Sequence, residues 1–301
     1  MGRLKEPTLV DDSTYLAPGS FTDCARSVGA ILDLLDRLLG AGGGSGSSSG
    51  KGGGGGGQPS GAATGVGAGA GLPSAGFALV RPPGHHVLPG RPMGFGVFNA
   101  VAIAARYARE RHGMERILIV DFDVHHGNGT MEVFYDDCRT LYISTHQAGL
   151  WPYTGKARET GAADGAGATV NVPLPGGSGD EAMREAWRRV VLPAAERFGP
   201  QLLLVSAGYD AHWRDPLAGM QITAAGYHWL ALILEGGYDG LSLAESVEAS
   251  VEGLMGRPAP SAAPPPPRAL HEEPCSKVDK ALQGVKGRER ARTEGGGPGR
   301  W

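Results

Sequence analysis

Cysteine is scarce in this chain of 301 residues. Its three cysteines, Cys24, Cys138 and Cys275, are far apart and none lies in a CxxC pair. That argues against a disulfide framework and a thiolate zinc site, and it fits a reducing compartment. Excess charge of either sign is also missing: the formal net charge is −3 and the pI is about 6.3. Composition therefore gives no electrostatic reason for direct binding to nucleic acid or a membrane surface. No apolar run approaches the length of a membrane span, and the N-terminus lacks a basic region followed by an apolar core. A soluble, intracellular protein is expected.

Glycine and proline are plentiful, at 51 and 22 residues, but they concentrate in two places. Residues 41–76 are glycine, serine and alanine with almost nothing to bury, so they cannot offset the entropy of ordering. They read as a disordered insertion within one domain, because the forty residues before them are too few for a core. From 257 to 301 a proline run and a charged tail read as disordered. One domain over residues 1–256 is left.

Within it the pattern alternates strands and helices. Val28, Ile31, Leu32, Leu35, Leu38 and Leu39 recur at helical spacing, which predicts a helix from Ser20 to Leu39 ended by Gly40. Further helices are expected over 100–111, 181–198 with one wet face, and 242–255. Short strands are expected at 77–80, 117–120, 141–144, 171–174, 201–205 and 231–234. Together these imply an α/β fold with a central parallel sheet and flanking helices.

The chain is organised around Ile117 to Gly129, ILIVDFDVHHGNG. An apolar strand runs into a cluster of Asp121, Asp123, His125, His126 and Asn128, at the strand end where α/β folds keep their sites. In an extended segment Asp121, Asp123 and His125 would share one face. Carboxylate and imidazole donors suit Zn²⁺ or a similar ion, and an open catalytic site needs three protein ligands. The alternative is a solvated acidic loop with chance histidines. A second apolar strand ends in Ser206-Ala-Gly-Tyr-Asp210-Ala-His212, and Asp210 can supply a third ligand if the strands are parallel. A third ends in Glu235-Gly-Gly-Tyr238-Asp239. Two prolines and a glycine stiffen the turn that presents His85 and His86. In Gly94-Phe95-Gly96 the glycines allow close backbone approach.

With these runs in view, the chain resembles zinc-dependent histone deacetylases of the arginase/deacetylase superfamily, class II-like and related to acetylpolyamine amidohydrolases. The matching runs are RPPGHH (81–86), GFGVFN (94–99), DFDVHHGNGT (121–130), ETG (159–161), NVPL (171–174), SAGYDAH (206–212), DPLAG (215–219) and EGGYD (235–239). The resemblance implies a three-layer arginase/deacetylase fold and hydrolysis of the acetamide of N-acetyl-lysine in histones or other proteins. It implies one Zn²⁺ on Asp123, His125 and Asp210, and a structural K⁺ near Asp121, Asp123, His125 and Ser144. His85 and His86 match the tandem general base and acid, with Asp121 behind the first and Asn128 behind the second. Tyr238 matches the phenol that donates to the oxyanion. Phe95 and Trp151 match the aromatic walls of the acyl-lysine tunnel, Leu217 its apolar third side, and Gly94 belongs to the same wall. Corepressor-type protein partners and a nuclear or cytoplasmic location are further expectations, with a plastid also open.

Two departures stand out. The family's N-terminal segment and acidic rim residue have no counterpart here. Between His212 and Ala231 the chain is also short for a parallel crossover, which needs about a dozen residues or more. A shortened scaffold between Asp210 and Tyr238, arising from an incomplete transcript or a mis-spliced gene model, is the expectation. Three other readings stand beside the leading one: a small-molecule acetylpolyamine amidohydrolase, an impaired paralogue that only binds, and an arginase-type dimetal hydrolase. The last would want further aspartates around DFDVHHG and DAH.

Overall fold

The computed structural model describes residues 6–40, 75–228, 230, 240–258 and 276–294, with side chains of 240–243 and 287–294 left aside. A short hairpin of β1 (Thr8–Leu9) and β2 (Tyr15–Leu16) precedes α1 (Ser20–Leu39). Then follow α2 (Ala100–His112), β3 (Ile117–Asp121), α3 (Asn128–Val133), β4 (Thr140–Gln147) and β5 (Thr169–Leu174). The second half holds α4 (Asp180–Ala186), α5 (Leu192–Phe198), β6 (Leu202–Ser206), α6 (Ala224–His228), α7 (Gly240–Leu254) and α8 (Ser276–Glu294). Among the described residues no helix is long and apolar enough to cross a membrane.

The main described sheet is fully parallel in the order β5-β4-β3-β6. Alternation along β3 explains why its run is continuously apolar. Ile117 and Ile119 face one layer, built with Ile31 and Leu35 of α1, the alanines of α2, and Phe134. Leu118 and Val120 face the other, built with Met183, Val190, Phe198, Tyr209 and Tyr227. A strand covered on both faces needs no polar side until it ends. Register then sets the ends level, because Asp121 pairs with Ser144 of β4 on one side and with Ser206 of β6 on the other. The chain leaves β3 toward β4 and returns to its opposite flank with β6. The carboxyl end of β3 is therefore a switch point, where a crevice opens between diverging connections.

Four expectations change. Among the described residues Phe77–Val80 carries no ladder pairing and runs as an irregular segment, although Ala78 is buried against the α1 layer. Four apolar residues before two prolines mark a buried extended stretch as readily as a strand. The strand at 117 ends at Asp121 and the chain bends at Val124 and His125, so Asp121 does not share a donor face with Asp123 and His125. The single helix expected over 181–198 is three pieces, with a π segment at Trp187–Val191 in which the Leu192 N–H reaches Trp187 O. Pro193 has no N–H to return to residue 189, and the wider turn accommodates that loss.

Finally, residues 276–294 of the expected disordered tail form α8. Its Val278, Leu282 and Val285 are buried in the main core, and Arg189 pairs with Asp279 at 2.7 Å. The expected insertion, apart from residues 75 and 76, and the expected strand 231–234 lie outside the described residues.

Candidate metal centre and active site

Register places the metal-binding candidates. Asp123 and His125 follow β3, Asp210 follows β6, and the Val124 N–H donates to Asp210 Oδ1 at 2.9 Å, tying the two loops together. His125 Nδ1 lies 2.9 Å from Asp210 Oδ2 and 3.1 Å from Asp123 Oδ1. One donor atom from each residue lies within 4.8 Å of the others. Both carboxylates are buried, and His125 is nearly so.

The electrostatics show what this cluster lacks. Burial and then the charge of Asp210 push Asp123 up to about 7, against the pull of His85 and His125. Burial also opposes Asp210, but its bonds to His125 and the Val124 N–H hold it below the ordinary carboxylate value. Burial works against charge on His125 too, yet the two carboxylates outweigh it and raise the imidazole to about 10. A proton held between two buried carboxylates marks a place that demands positive charge. Two carboxylate oxygens and one imidazole nitrogen fit a divalent cation such as zinc with a fourth position left open.

Over this cluster stand two more buried imidazoles, 4.0 Å apart by ring centroid, with His86 5.9 Å from His125. His85 donates from Nδ1 to Asp121 Oδ2 at 2.9 Å. His86 donates from Nδ1 to Asn128 Oδ1 at 2.8 Å, which leaves Nε2 with its lone pair. Burial first, then the charge of His85, lower His86 well below its ordinary value, and the Asn128 bond offsets this only in part. His86 is thus neutral at ordinary pH.

The wall residues lie around this pair. A Cβ on Gly94, whose φ is 59°, would collide with the His86 ring, so only glycine lets the backbone lie against the imidazole. Trp151 sets its ring edge-on to His86 at 4.6 Å and lies 6.3 Å from His125. Phe95 is 46% exposed, and its N–H donates to Thr14 Oγ1 at 2.9 Å, tying this wall to the β1–β2 hairpin. Leu217 is 44% exposed, on a turn closed by its N–H to Asp215 Oδ1. Tyr238 lies outside the described residues.

Sequence reasoning missed the layer beneath. The single Tyr142 O–H lies between two acceptors, Asp121 Oδ2 at 3.0 Å and Gly127 O at 3.1 Å. Burial and then the Asp121 charge keep this phenol far above its ordinary value, so it is always a donor. On the far side of His125, His126 Nδ1 meets Thr154 Oγ1 at 2.7 Å, and His146 donates from Nε2 to Gly155 O at 2.9 Å. These two imidazoles fasten the loop that carries Trp151. The only signal was the position of Tyr142 and His146 on a strand beside β3, and that pairing was not visible before the sheet order.

Comparison with known proteins agrees with the geometry. The family description "Histone deacetylase domain" matches residues 2–254. The chain is 43% identical over 289 residues to "Histone deacetylase 10, chloroplastic" of Oryza sativa subsp. japonica, covering 91% of this chain and 60% of that protein. It is 49% identical over 230 residues to "Histone deacetylase 14, chloroplastic" of Arabidopsis thaliana, covering 71% and 54%. Over 148 residues it is 49% identical to "Histone deacetylase-like amidohydrolase" of Pseudomonas aeruginosa, covering 48% and 39%. The chain thus spans three-fifths or less of the length of these relatives. The crystal structure of the HDA15 HD domain matches with a TM-score of 0.77 at 32% identity, covering 95% of this chain and 73% of that one. A family match across nearly all of the site-bearing chain, on a parallel α/β scaffold of the same kind, means that the chain belongs to the histone deacetylase domain family.

Proposed function

We propose that this protein is a zinc-dependent amidohydrolase that removes the acetyl group from N-acetyl-lysine in histones or other proteins. One observation carries the reading: two buried carboxylates and an imidazole converge from two level strand ends, directly beneath a pair of buried, hydrogen-bonded histidines. Asp123, His125 and Asp210 would hold the zinc, which supplies Lewis-acid polarisation of the amide and a water acidic enough to attack near neutral pH.

The remaining work falls to the chain's own groups. His86, neutral and with Nε2 free of its Asn128 bond, can take the proton from the attacking water and return it to the departing lysine amine. As the C–N bond breaks, acetate and the free amine leave. His85 is held in place by its Nδ1 bond to the Asp121 carboxylate, which would offset positive charge developing on that imidazole beside the reacting group. Tyr238, by the family resemblance, donates to the developing oxyanion. Trp151 and Phe95 would flank the lysine methylenes and exclude water from them. Asp121 and Ser144, side by side in register, would contribute to a structural K⁺ site.

Zinc content and turnover of an acetyl-lysine peptide, measured on one preparation, test the reading. Bound zinc without turnover would leave a binding protein, and two ions per chain would revive a dimetal hydrolase. The amidohydrolase relative supports a small-molecule alternative, and faster turnover of acetylputrescine than of the peptide would favour it. Two relatives described as chloroplastic support a plastid location, to be checked by imaging a fusion of the full-length gene product.

A further inference from the structure

Tyr153 sits two residues beyond Trp151 at the tip of a turn closed by its own N–H to Leu150 O at 2.8 Å. It is 69% exposed and has a φ of 66°, a backbone region that glycine enters freely and a tyrosine only at a cost. The chain on either side is fixed. Trp151 lies against His86, Thr154 Oγ1 is held by His126, and Gly155 bonds through both its carbonyl, to His146, and its N–H, to Glu159 Oε2 at 2.8 Å. Among the described residues no hydrogen bond, ion pair or ring contact engages the Tyr153 side chain. An exposed aromatic alone means little. A strained one, on a loop clamped at both ends and leading directly from the wall of the site, is a large side chain that the fold itself does not use. Phe95 is likewise exposed and has a φ of 65°.

We propose that Tyr153 is a specificity-determining residue: its ring packs on the substrate polypeptide beside the acyl-lysine and favours a protein segment with an apolar neighbour over a small acylated amine. This rests on the amidohydrolase reading and extends it from the reacting group to the surrounding chain. On this proposal a small amine, which has no chain beyond the acylated nitrogen and its short methylene run, makes no contact with the Tyr153 ring. An extended peptide must cross the rim, and an aromatic face with a polar end suits such a contact.

The test uses the full chain loaded with zinc, as parent, Tyr153→Gly and Tyr153→Phe. The substrates are an acetyl-lysine peptide with leucine on each side, the same peptide with serine on each side, and N-acetylputrescine. In Tyr153→Gly the kcat/KM ratio of the leucine peptide to acetylputrescine should fall about tenfold, mostly through KM, as expected for losing part of one aromatic contact. Tyr153→Phe should keep the ratio, and the glycine variant should melt no lower than the parent because the strain is gone. An unchanged ratio, or an equal fall for all three substrates, overturns the proposal. Fluorescence anisotropy with the labelled leucine peptide needs no turnover and separates the two readings. A parent without activity whose affinity still drops about tenfold in Tyr153→Gly would refute the hydrolase reading and keep the contact, whereas equal affinities would refute the contact.

Discussion

His146 offers a pH experiment whose size can be worked out in advance. Its imidazole is fully buried in β4, donates from Nε2 to Gly155 O and accepts from Ser144 Oγ at 2.9 Å through Nδ1. Burial, the largest cause, lowers its pKa from 6.5 to about 4, against the favourable Gly155 bond. The sign follows directly. Between pH 6.5 and 4 the unfolded chain takes up a proton that the folded chain refuses, so stability is complete above 6.5 and drains away as pH falls. A separation of about 2.5 pH units is worth about 3.4 kcal/mol when fully developed, and about 2.5 kcal/mol by pH 4.5.

His146→Gln keeps a donor and an acceptor on the side chain but cannot titrate. Urea unfolding of parent and variant, in chelator and at half-unit steps from pH 7.5 to 4.5, should give curves that converge by about 2.5 kcal/mol toward the acid end. Other groups titrate in both proteins and cancel in the difference. Parallel curves would show that His146 takes up its proton as readily in the folded chain as in the unfolded one, and the neutral clamp on the Trp151 loop would have to be abandoned.

Three further outcomes follow from the same contacts. Tyr142→Phe removes a donor from a buried carboxylate, so unfolding should cost about 2 kcal/mol less, and turnover should fall as His85 loses its fixed partner; unchanged melting and rate would show that Tyr142 is packing alone. Asp210→Ala should abolish metal binding, read by metal analysis after dialysis, whereas His86→Ala should keep the metal and lose turnover; retention in both would break the assignment of donors. Leu282→Ala should destabilise the protein by about 2–4 kcal/mol, as a fully buried leucine does, and a denaturation midpoint equal to the parent's would show that α8 does not dock in solution.

How much of this was legible beforehand depended on the kind of signal. The run Ile117 to Val120 and the helix Ser20 to Leu39 carry strong periodic or continuous patterns, and the structure has both elements at those places. Asp123, His125 and Asp210 were legible because polar residues recurred at apolar strand ends, for which core packing offers no reason. The face shared by Asp121, Asp123 and His125 was misread, since periodicity cannot say where an extended run bends. Asp121 instead turns to His85 and Tyr142. α8 was missed because its apolar stripe is only three residues wide within a charged, glycine-containing sequence, and that the stripe is buried in the core is not visible locally. Tyr142 and His146 needed knowledge of which strand lies beside β3, and no local pattern supplies that.

The site also divides by what holds each part in place. The three candidate metal donors depend on the pairing of β3 with β6 and on one backbone bond from Val124, all within the parallel sheet. Those supports lie outside the short sequence between His212 and Ala231, which touches the Asp210 loop through that residue's neighbours: Tyr227 packs on Tyr209 at 4.8 Å and the Ile222 N–H donates to Ala211 O at 3.1 Å. The helix that follows is moored separately: Tyr209, next to Asp210, donates to Ser250 Oγ of α7 at 2.9 Å, and Ser250 donates to Tyr227 O at 3.2 Å. Metal affinity and catalytic rate should therefore respond to different lesions, since Tyr238, proposed as the oxyanion donor, belongs in sequence to the segment between α6 and α7. Loss of rate with full metal content would be the signature of a disturbed crossover, and loss of both the signature of a disturbed sheet.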